Sequence, residues 1–290
     1  MMPTPQHLAH AAETAHLRRL HAQPDIGAAA QVRQAVGLNI VRVVIHAPAL
    51  ILVRQGVKTV HTADGRPVVA KAGQGIALAA RQTVDFANEP SRGMPYEARW
   101  LIFDPAVVTS FATQQAPLMA AVATQRPAHL LSPLPIGLEN AFDRASHTLS
   151  GEGVLPKPIM AHRLQEVLLC MALQGVAFMP AGTPVGTADR VRALLAKRPD
   201  KDWRARAVAS DLAMSEATLR RRLASEGVAF GELLVDARMS YALTLLQATD
   251  QSISAIAEGS GYASPSRFAV RFRQRFGFAP SALRGHERTH

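Results

Sequence analysis

Ala209-Ser-Asp-Leu-Ala-Met-Ser215 runs straight into Glu216-Ala-Thr-Leu219-Arg-Arg-Arg-Leu223, and the pattern returns later in the chain. The second copy is Ala257-Glu-Gly-Ser-Gly261-Tyr-Ala-Ser264, followed by Pro265-Ser-Arg-Phe268-Ala-Val-Arg-Phe272. Each copy reads as a short helix, a tight turn and a second helix opened by a capping serine. Apolar anchors four apart, Leu219/Leu223 and Phe268/Phe272, put one face of each second helix inward, and arginines stud the rest. That is the outline of a helix-turn-helix, whose second helix fits the major groove of DNA. One weak match is often accidental. Two copies, 49 residues apart at Leu219 and Phe268 and joined by a long helical pattern, are much harder to obtain by chance.

The turns differ in detail. Gly261 stands where the chain reverses between two packed helices, a place that favours a residue without Cβ. Ala213 takes that place in the first copy. Ser264 is a good N-cap, but Arg267 three residues on rules out a full capping box. With the anchors inward, Ala217, Arg220 and Arg221 point outward from the first recognition helix, and Ser266, Ala269 and Val270, flanked by Arg267, from the second. These seven are the candidate base readers. An arginine paired bidentately with guanine contributes about 1–3 kcal/mol of discrimination. Ser215, Ser264, Arg271, Arg273 and Arg275 are better placed for phosphates, which hold register without reading sequence. The alternative is that these arginines only solubilise exposed helices.

The expected C-terminal helices are Asp189–Ala196, Ala205–Leu212, Glu216–Glu226, Phe230–Ala248, Ser252–Glu258 and Pro265–Phe276, with a closing turn at Pro280–Leu283. Ahead of them, residues 181–188 lie in a Pro/Gly-rich, uncharged stretch that reads as a linker between a domain at 1–180 and one at 189–290. The texture of residues 39–104 is different. Ile40–His46, Leu50–Arg54, Lys58–Thr62, Pro67–Ala70, Gly75–Ala79, Thr83–Ala87 and Ala98–Phe103 are short β-rich runs, and Asp64-Gly65 is a strong hairpin turn. Seven strands at this spacing predict a small barrel or sandwich, so the whole is α+β. Residues 1–35, with His7, His10, His16 and His21, are expected to be helical or loosely ordered. Pro105–Ala112, Gly137–Leu149 and Pro158–Val176 are expected helices. The last carries a broad apolar stripe that packs on its own barrel, on a second subunit, or on both.

The chain has 290 residues, enough for two cores, and carries 32 Lys/Arg against 22 Asp/Glu. Residues 185–290 hold 17 Lys/Arg against 11 Asp/Glu, net +6, a denser excess than the +4 of the longer remainder, as suits a polyanion-binding half. The one cysteine, Cys170, excludes an intrachain disulfide and sits in an apolar run as a small hydrophobe. No apolar stretch approaches a membrane span, and no secretory h-region opens the chain, so a cytoplasmic protein without membrane partners is expected.

The C-terminal part resembles the AraC/XylS family of bacterial transcription regulators. The carrying residues are Ser215-Glu-Ala-Thr-Leu-Arg-Arg-Arg-Leu-Ala-Ser-Glu-Gly227 with Phe230, Arg238-Met-Ser-Tyr-Ala242, Leu245-Leu246, Ile253 and Ile256-Ala257. They continue through Gly261-Tyr262, Ser264, Arg267-Phe268, Phe272, Phe276-Gly277, Pro280 and Arg284. The resemblance implies two helix-turn-helix units on one connecting helix, entering adjacent major grooves about 34 Å apart on double-stranded DNA. Val270 departs from a family pattern that is mostly basic there. The N-terminal half is similar to the family's cupin-like sensing domain, through Leu52-Val-Arg-Gln-Gly56 with Lys58 and through Ala72-Gly-Gln-Gly75. This implies a barrel for a small-molecule effector and a homodimer through 158–176. Activation would also require a surface for RNA polymerase. No effector-contacting residue is assigned.

Cupin barrels also house metal enzymes. A metal site needs imidazoles and a carboxylate converging from neighbouring strands, but His46 and His61 lie singly in candidate strands, as surface or satisfied residues. No catalytic residue, metal or cofactor is expected. Three readings remain: an effector-controlled regulator, a regulator that is constitutive or controlled by a protein partner with the barrel as dimerisation scaffold, and a metal-dependent enzyme fused to a DNA-binding tail. Interior strand positions rich in Val, Ile, Leu and Ala favour a small, largely apolar ligand.

Overall fold

Strands whose burial alternates build the N-terminal half of this computed structural model, which describes residues 19–122, 126–151, 155–180 and 186–284. They are β1 (Arg19–Gln23), β2 (Gly27–Gln34), β3 (Leu38–Ile45), β4 (Ala49–Gln55), β5 (Val57–His61), β6 (Val68–Lys71), β7 (Gln74–Leu78), β8 (Gln82–Glu89), β9 (Tyr96–Phe103) and β10 (Ala128–Leu131). One antiparallel sheet has the order β1-β2-β9-β4-β7-β10 and faces a second, β3-β8-β5-β6. On β8, Val84, Phe86 and Asn88 are buried while Thr83, Asp85 and Glu89 are exposed, the two-residue period of a sheet with one wet face. On β4 every residue from Ala49 to Val53 is buried, because both faces of the larger sheet are covered. Ile51 and Val53 face the barrel interior; Leu50 and Leu52 join the cluster under the helices.

Those helices are α1 (Pro105–Gln114), α2 (Ala116–Ala121), α3 (Ile136–Leu149) and α4 (Lys157–Ala172). Leu164, Val167, Leu168, Met171 and Ala172 of α4 pack in one core with Phe111 of α1, Phe142 of α3 and Leu101 and Phe103 of β9. The stripe is therefore spent mainly within the chain. Ile159 and Leu173, at its ends, remain 43% and 67% exposed.

All seven expected strands are present, and the described residues form ten strands. Residues 19–34 are not helical or loose: they form the β1–β2 hairpin, with His21 on β1. Ala28-Ala29-Ala30 is weak strand sequence, and pairing with β9 along the whole of β2 overrides it. His7, His10 and His16 lie outside the described residues. Asp64-Gly65 does close the β5–β6 hairpin, with Gly65 in the left-handed region at φ 78°.

The C-terminal half contains α5 (Thr187–Lys197), α6 (Ala205–Asp211), α7 (Glu216–Ser225), α8 (Phe230–Ala248), α9 (Ile253–Gly259) and α10 (Pro265–Phe276), then a 3-10 turn at Pro280–Arg284. Thr187 and Ala188 of the expected linker belong to α5, whose N-terminal amides of these two residues donate to Glu226 Oε1 and Oε2 at 2.7 and 2.8 Å. Backbone amides reaching a carboxylate satisfy the orphan donors of a helix start. They also hold the Glu226 carboxyl below its usual range.

The two helix-turn-helix turns share one hydrogen-bond pattern. Ala213 N donates to Ser210 O and Met214 N to Ala209 O; 48 residues later Gly261 N donates to Glu258 O and Tyr262 N to Ala257 O. Both Ala213 (φ 55°) and Gly261 (φ 78°) are left-handed. The recognition helices are instead 49 residues apart, so the second unit carries one extra residue between turn and cap. Ala213→Gly should relieve the left-handed strain and raise stability by about 1 kcal/mol, read by chemical denaturation of otherwise identical proteins.

The barrel and the second unit share a continuous apolar cluster. Leu20 and Ile45 at one end of the barrel pack with Val235, Met239 and Leu243 of α8 in the same cluster. At this seam His46, just past β3, has a buried Nε2 without a hydrogen-bond partner among the described residues. The residue is half-buried, but its Nε2 is neither at the surface nor satisfied among the described residues. Burial, with the charge of Arg192 on α5 adding to it, pushes its pKa down to about 4 from 6.5. The folded chain thus favours neutral His46. Its contribution is whole above about pH 6.5 and is lost as pH falls toward 4, by at most about 3 kcal/mol. His46→Leu should flatten that part of the acid limb in a stability-versus-pH series; an unchanged limb would place the titration elsewhere.

Candidate nucleic-acid interface

Both recognition helices are opened by serine. Ser215 Oγ accepts from Thr218 N at 3.1 Å, and Ser264 Oγ accepts from Arg267 N at 3.4 Å. The two serines proposed for phosphates are thus also structural caps. Leu219 and Leu223 anchor α7 in a core with Val191, Leu195, Trp203, Val208 and Leu233. Phe268, Phe272 and Phe276 anchor α10 as a ladder with ring centroids 5.6 and 4.7 Å apart. Gly277, left-handed at φ 86°, ends α10 by donating to Arg273 O.

These anchors decide what faces solvent. On α7, Ala217, Arg220 and Arg221 are exposed, as expected. Arg220 Nη2 lies 2.6 Å from Glu216 Oε1 one turn earlier, in an exposed pair that a stronger acceptor can displace. On α10, Ser266, Arg267, Val270, Arg271 and Arg273 are exposed, with Val270 at 57%. Ala269 is half-buried rather than fully outward, because it borders the phenylalanine ladder.

Arg275 departs from expectation most. Its side chain is 14% exposed, with Nη2 2.9 Å from Asp236 Oδ1 on α8, while its carbonyl accepts from Arg42 Nη2 at 3.2 Å. Arg42 sits at a bulge of β3, left-handed at φ 54°, with its own amide donating to Asp85 Oδ1. A residue expected on DNA instead clasps α10 to α8 and the barrel. The spacing of Arg275 from Arg271 and Arg273 gave no sign of this, since its partners are 39 and 233 residues away in sequence.

Arg238 was legible only as a motif position. Its guanidinium donates to Pro199 O at 3.2 Å and Lys201 O at 3.1 Å, and lies 5.7 Å from the Tyr262 ring centroid. One side chain of α8 therefore touches the loop of the first unit and the turn of the second. A Cβ on Gly261 would meet the flexible end of that side chain, so the left-handed φ of 78° is what favours glycine there. Among the described residues no group of three or more His, Cys, Asp or Glu is disposed to hold a metal ion. No helix among them is long and apolar enough to cross a membrane.

Known proteins share both halves. Residues 208–286 match the helix-turn-helix domain model, and residues 48–177 match the AraC-like ligand binding domain model. The HTH-type transcriptional regulator YdeO of Escherichia coli (strain K12) is 31% identical over 128 residues, 42% of this chain and 50% of YdeO. The virulence regulon transcriptional activator VirF of Shigella flexneri is 33% identical over 93 residues, 32% of this chain and 36% of VirF. The matched stretch thus spans about half or less of these curated relatives. Among solved structures, ToxT from Vibrio cholerae aligns over 90% of this chain and 100% of its own with a TM-score of 0.62 at 15% identity. ToxT with an unsaturated fatty acid bound aligns over 87% and 92% with a TM-score of 0.60 at 16% identity. That likeness is one of fold. With both domain models matched in order on one chain, the protein belongs to the AraC family.

Proposed function

We propose that the protein is a sequence-specific DNA-binding transcriptional regulator whose α7 and α10 enter adjacent major grooves of one duplex. The observation that carries this reading is the pair of serine-capped helices, each anchored apolar-side in and arginine-side out, mounted on the single helix α8. Ala217, Arg220 and Arg221 on α7, and Ser266, Arg267, Ala269 and Val270 on α10, are the proposed base readers. Val270 presents an apolar surface suited to a thymine methyl. Arg271 and Arg273, with the cap regions at Ser215 and Ser264, are the proposed phosphate contacts. Arg275 serves as a clasp in this arrangement.

The working division is a sensing and dimerisation domain at 1–180, a linker at 181–188 and a DNA-binding domain at 189–290. The barrel binds a small-molecule effector, which acts only through different affinities for two arrangements of the chain. A homodimer would use the exposed ends of the α4 stripe, Ile159 and Leu173, and an activator would also touch RNA polymerase. No chemical step is assigned to the protein.

The direct test is selection of bound duplexes from a random pool with full-length protein, then a salt titration of the winner against scrambled DNA. Two half-motifs about one helical turn apart, held at physiological salt, are expected. No enrichment, with binding that vanishes as salt rises, would mean nonspecific electrostatics or a missing effector, and the same selection with residues 187–290 alone tells which. On the selected duplex, Arg220→Ala or Arg221→Ala should relax preference at one or two positions. Arg273→Ala should weaken binding evenly and reduce the salt slope by about one unit, and Arg275→Ala should leave the slope unchanged. Equal effects of all four on specific and random DNA would refute these roles. A fragment of residues 187–290 should fold and bind as a monomer; an unfolded fragment in circular dichroism would refute the domain division.

A further inference from the structure

The barrel interior is rich in apolar residues, as expected, but a polar seam runs through it. Lys58 of β5 is 1% exposed, and Asn88 of β8 and Tyr96 of β9 are fully buried. Lys58 Nζ donates to Asn88 Oδ1 at 2.9 Å, Asn88 Nδ2 donates to Gln34 Oε1 at 3.0 Å, and Gln34 Nε2 donates to Val36 O at 2.7 Å. Every link passes a donor outward. The chain uses up its acceptors and offers none to the remaining protons of the ammonium.

Aromatic rings surround that ammonium. Nζ lies 3.8 Å from the Phe86 ring centroid, 5.7 Å from that of Trp100 and 6.0 Å from that of Tyr96. Trp100 Nε1 and Tyr96 Oη are buried and have no hydrogen-bond partner among the described residues. No carboxylate pairs with Lys58 among them either. Ring faces compensate a buried cation only in part. Burial pushes the Lys58 ammonium down to about 7. A buried charge without a counter-charge is costly, and so is each buried donor without an acceptor.

One positive charge and several unspent donors, walled by flat rings, have a specific complement: a group with two acceptor oxygens and one negative charge on an organic body. We infer that Lys58, Tyr96 and Trp100 anchor the carboxylate of a small organic acid inside the barrel, and that this acid is the effector. The inference rests on the reading of the barrel as the sensing domain. It also gives the ligand a route to the DNA-binding half. Trp100 pairs with Ala30, and Ala30 with Leu20, which belongs to the cluster shared with α8. An acid held against Trp100 thus lies two strand pairings from Leu20, which shares a cluster with the helix that carries both recognition helices.

The test is thermal unfolding of full-length wild-type, Lys58→Met and Tyr96→Phe proteins with hexanoate, benzoate and phenylacetate, each against its matched primary amide. At least one acid should raise the wild-type melting temperature by roughly 5 °C at about a hundredfold excess over its Kd, with its amide far less effective. Lys58→Met should abolish the response while melting no lower than wild type without ligand, because it removes an uncompensated charge. Tyr96→Phe should weaken the acid about tenfold and leave the ligand-free protein unchanged. A Lys58→Met protein that melts lower without ligand would make the lysine a structural cation held by its rings. That result, or equal responses to acids and amides in wild type, would overturn the proposal. Duplex selection with the same preparations separates the two readings: operator binding without acid preference refutes this inference alone, and absent operator binding refutes the regulator itself.

Discussion

Burial of α8 on almost all of its faces is the constraint on which the rest of the molecule depends. Leu233 and Ala237, near its start, complete the core of the first helix-turn-helix unit. Met239, Ala242, Leu243, Leu245 and Leu246 complete that of the second, in a cluster that runs on into the barrel. A 19-residue helix is about 28 Å long, and every turn of this one is fixed by packing. A helix apolar nearly all round has no stable exposed form. The position of either recognition helix is therefore set by the same rod that touches the sensing domain, and Arg238 reinforces it by bonding to one unit and stacking on the other.

The arginines show how far residue type falls short of role. Arg221, Arg271 and Arg273 are exposed on recognition helices. Arg220 is exposed but tethered to Glu216. Arg275 is largely buried against Asp236, where burial lowers its pKa and raises that of Asp236, each offset in part by the other's charge. A half-buried pair of this kind is costly to break on one side only, so it resists separation of α10 from α8. With Arg42 reaching the Arg275 carbonyl, the second unit is tied to the barrel by polar contacts as well as by shared apolar surface. An effector that changes the barrel end beneath α8 would act on both ties together.

What was legible in the sequence follows from how local its cause is. The six C-terminal helices were readable because serine caps, a left-handed glycine and anchors four apart all act within a few residues. The strands from β3 to β9 were readable because alternation and turn residues frame them. β1, β2 and β10 were not: Ala28-Ala29-Ala30 becomes strand only by pairing with β9, and Ala128–Leu131 only by pairing with β7. The interior seam was missed for the same reason. The two-residue period puts Lys58 on the face of Val60, but a lysine in a strand is ordinarily assigned outward, and only closure of the barrel turns it inward. Arg275 was misplaced because its partners come from another helix and another domain. Helix periodicity gives the face of a residue, not what covers that face.

If α8 is a rigid spacer, the two half-motifs of the operator must keep one separation and one face of the duplex. The most direct measurement is the affinity of full-length protein for the selected operator and for versions with about half a helical turn, and then a full turn, inserted between the half-motifs. Rigidity predicts that the half-turn insertion reduces binding to that of a single half-motif, and that the full-turn insertion does not restore it, since α8 cannot lengthen. Undiminished affinity for either insertion would show that the two recognition helices move independently, and would contradict the account.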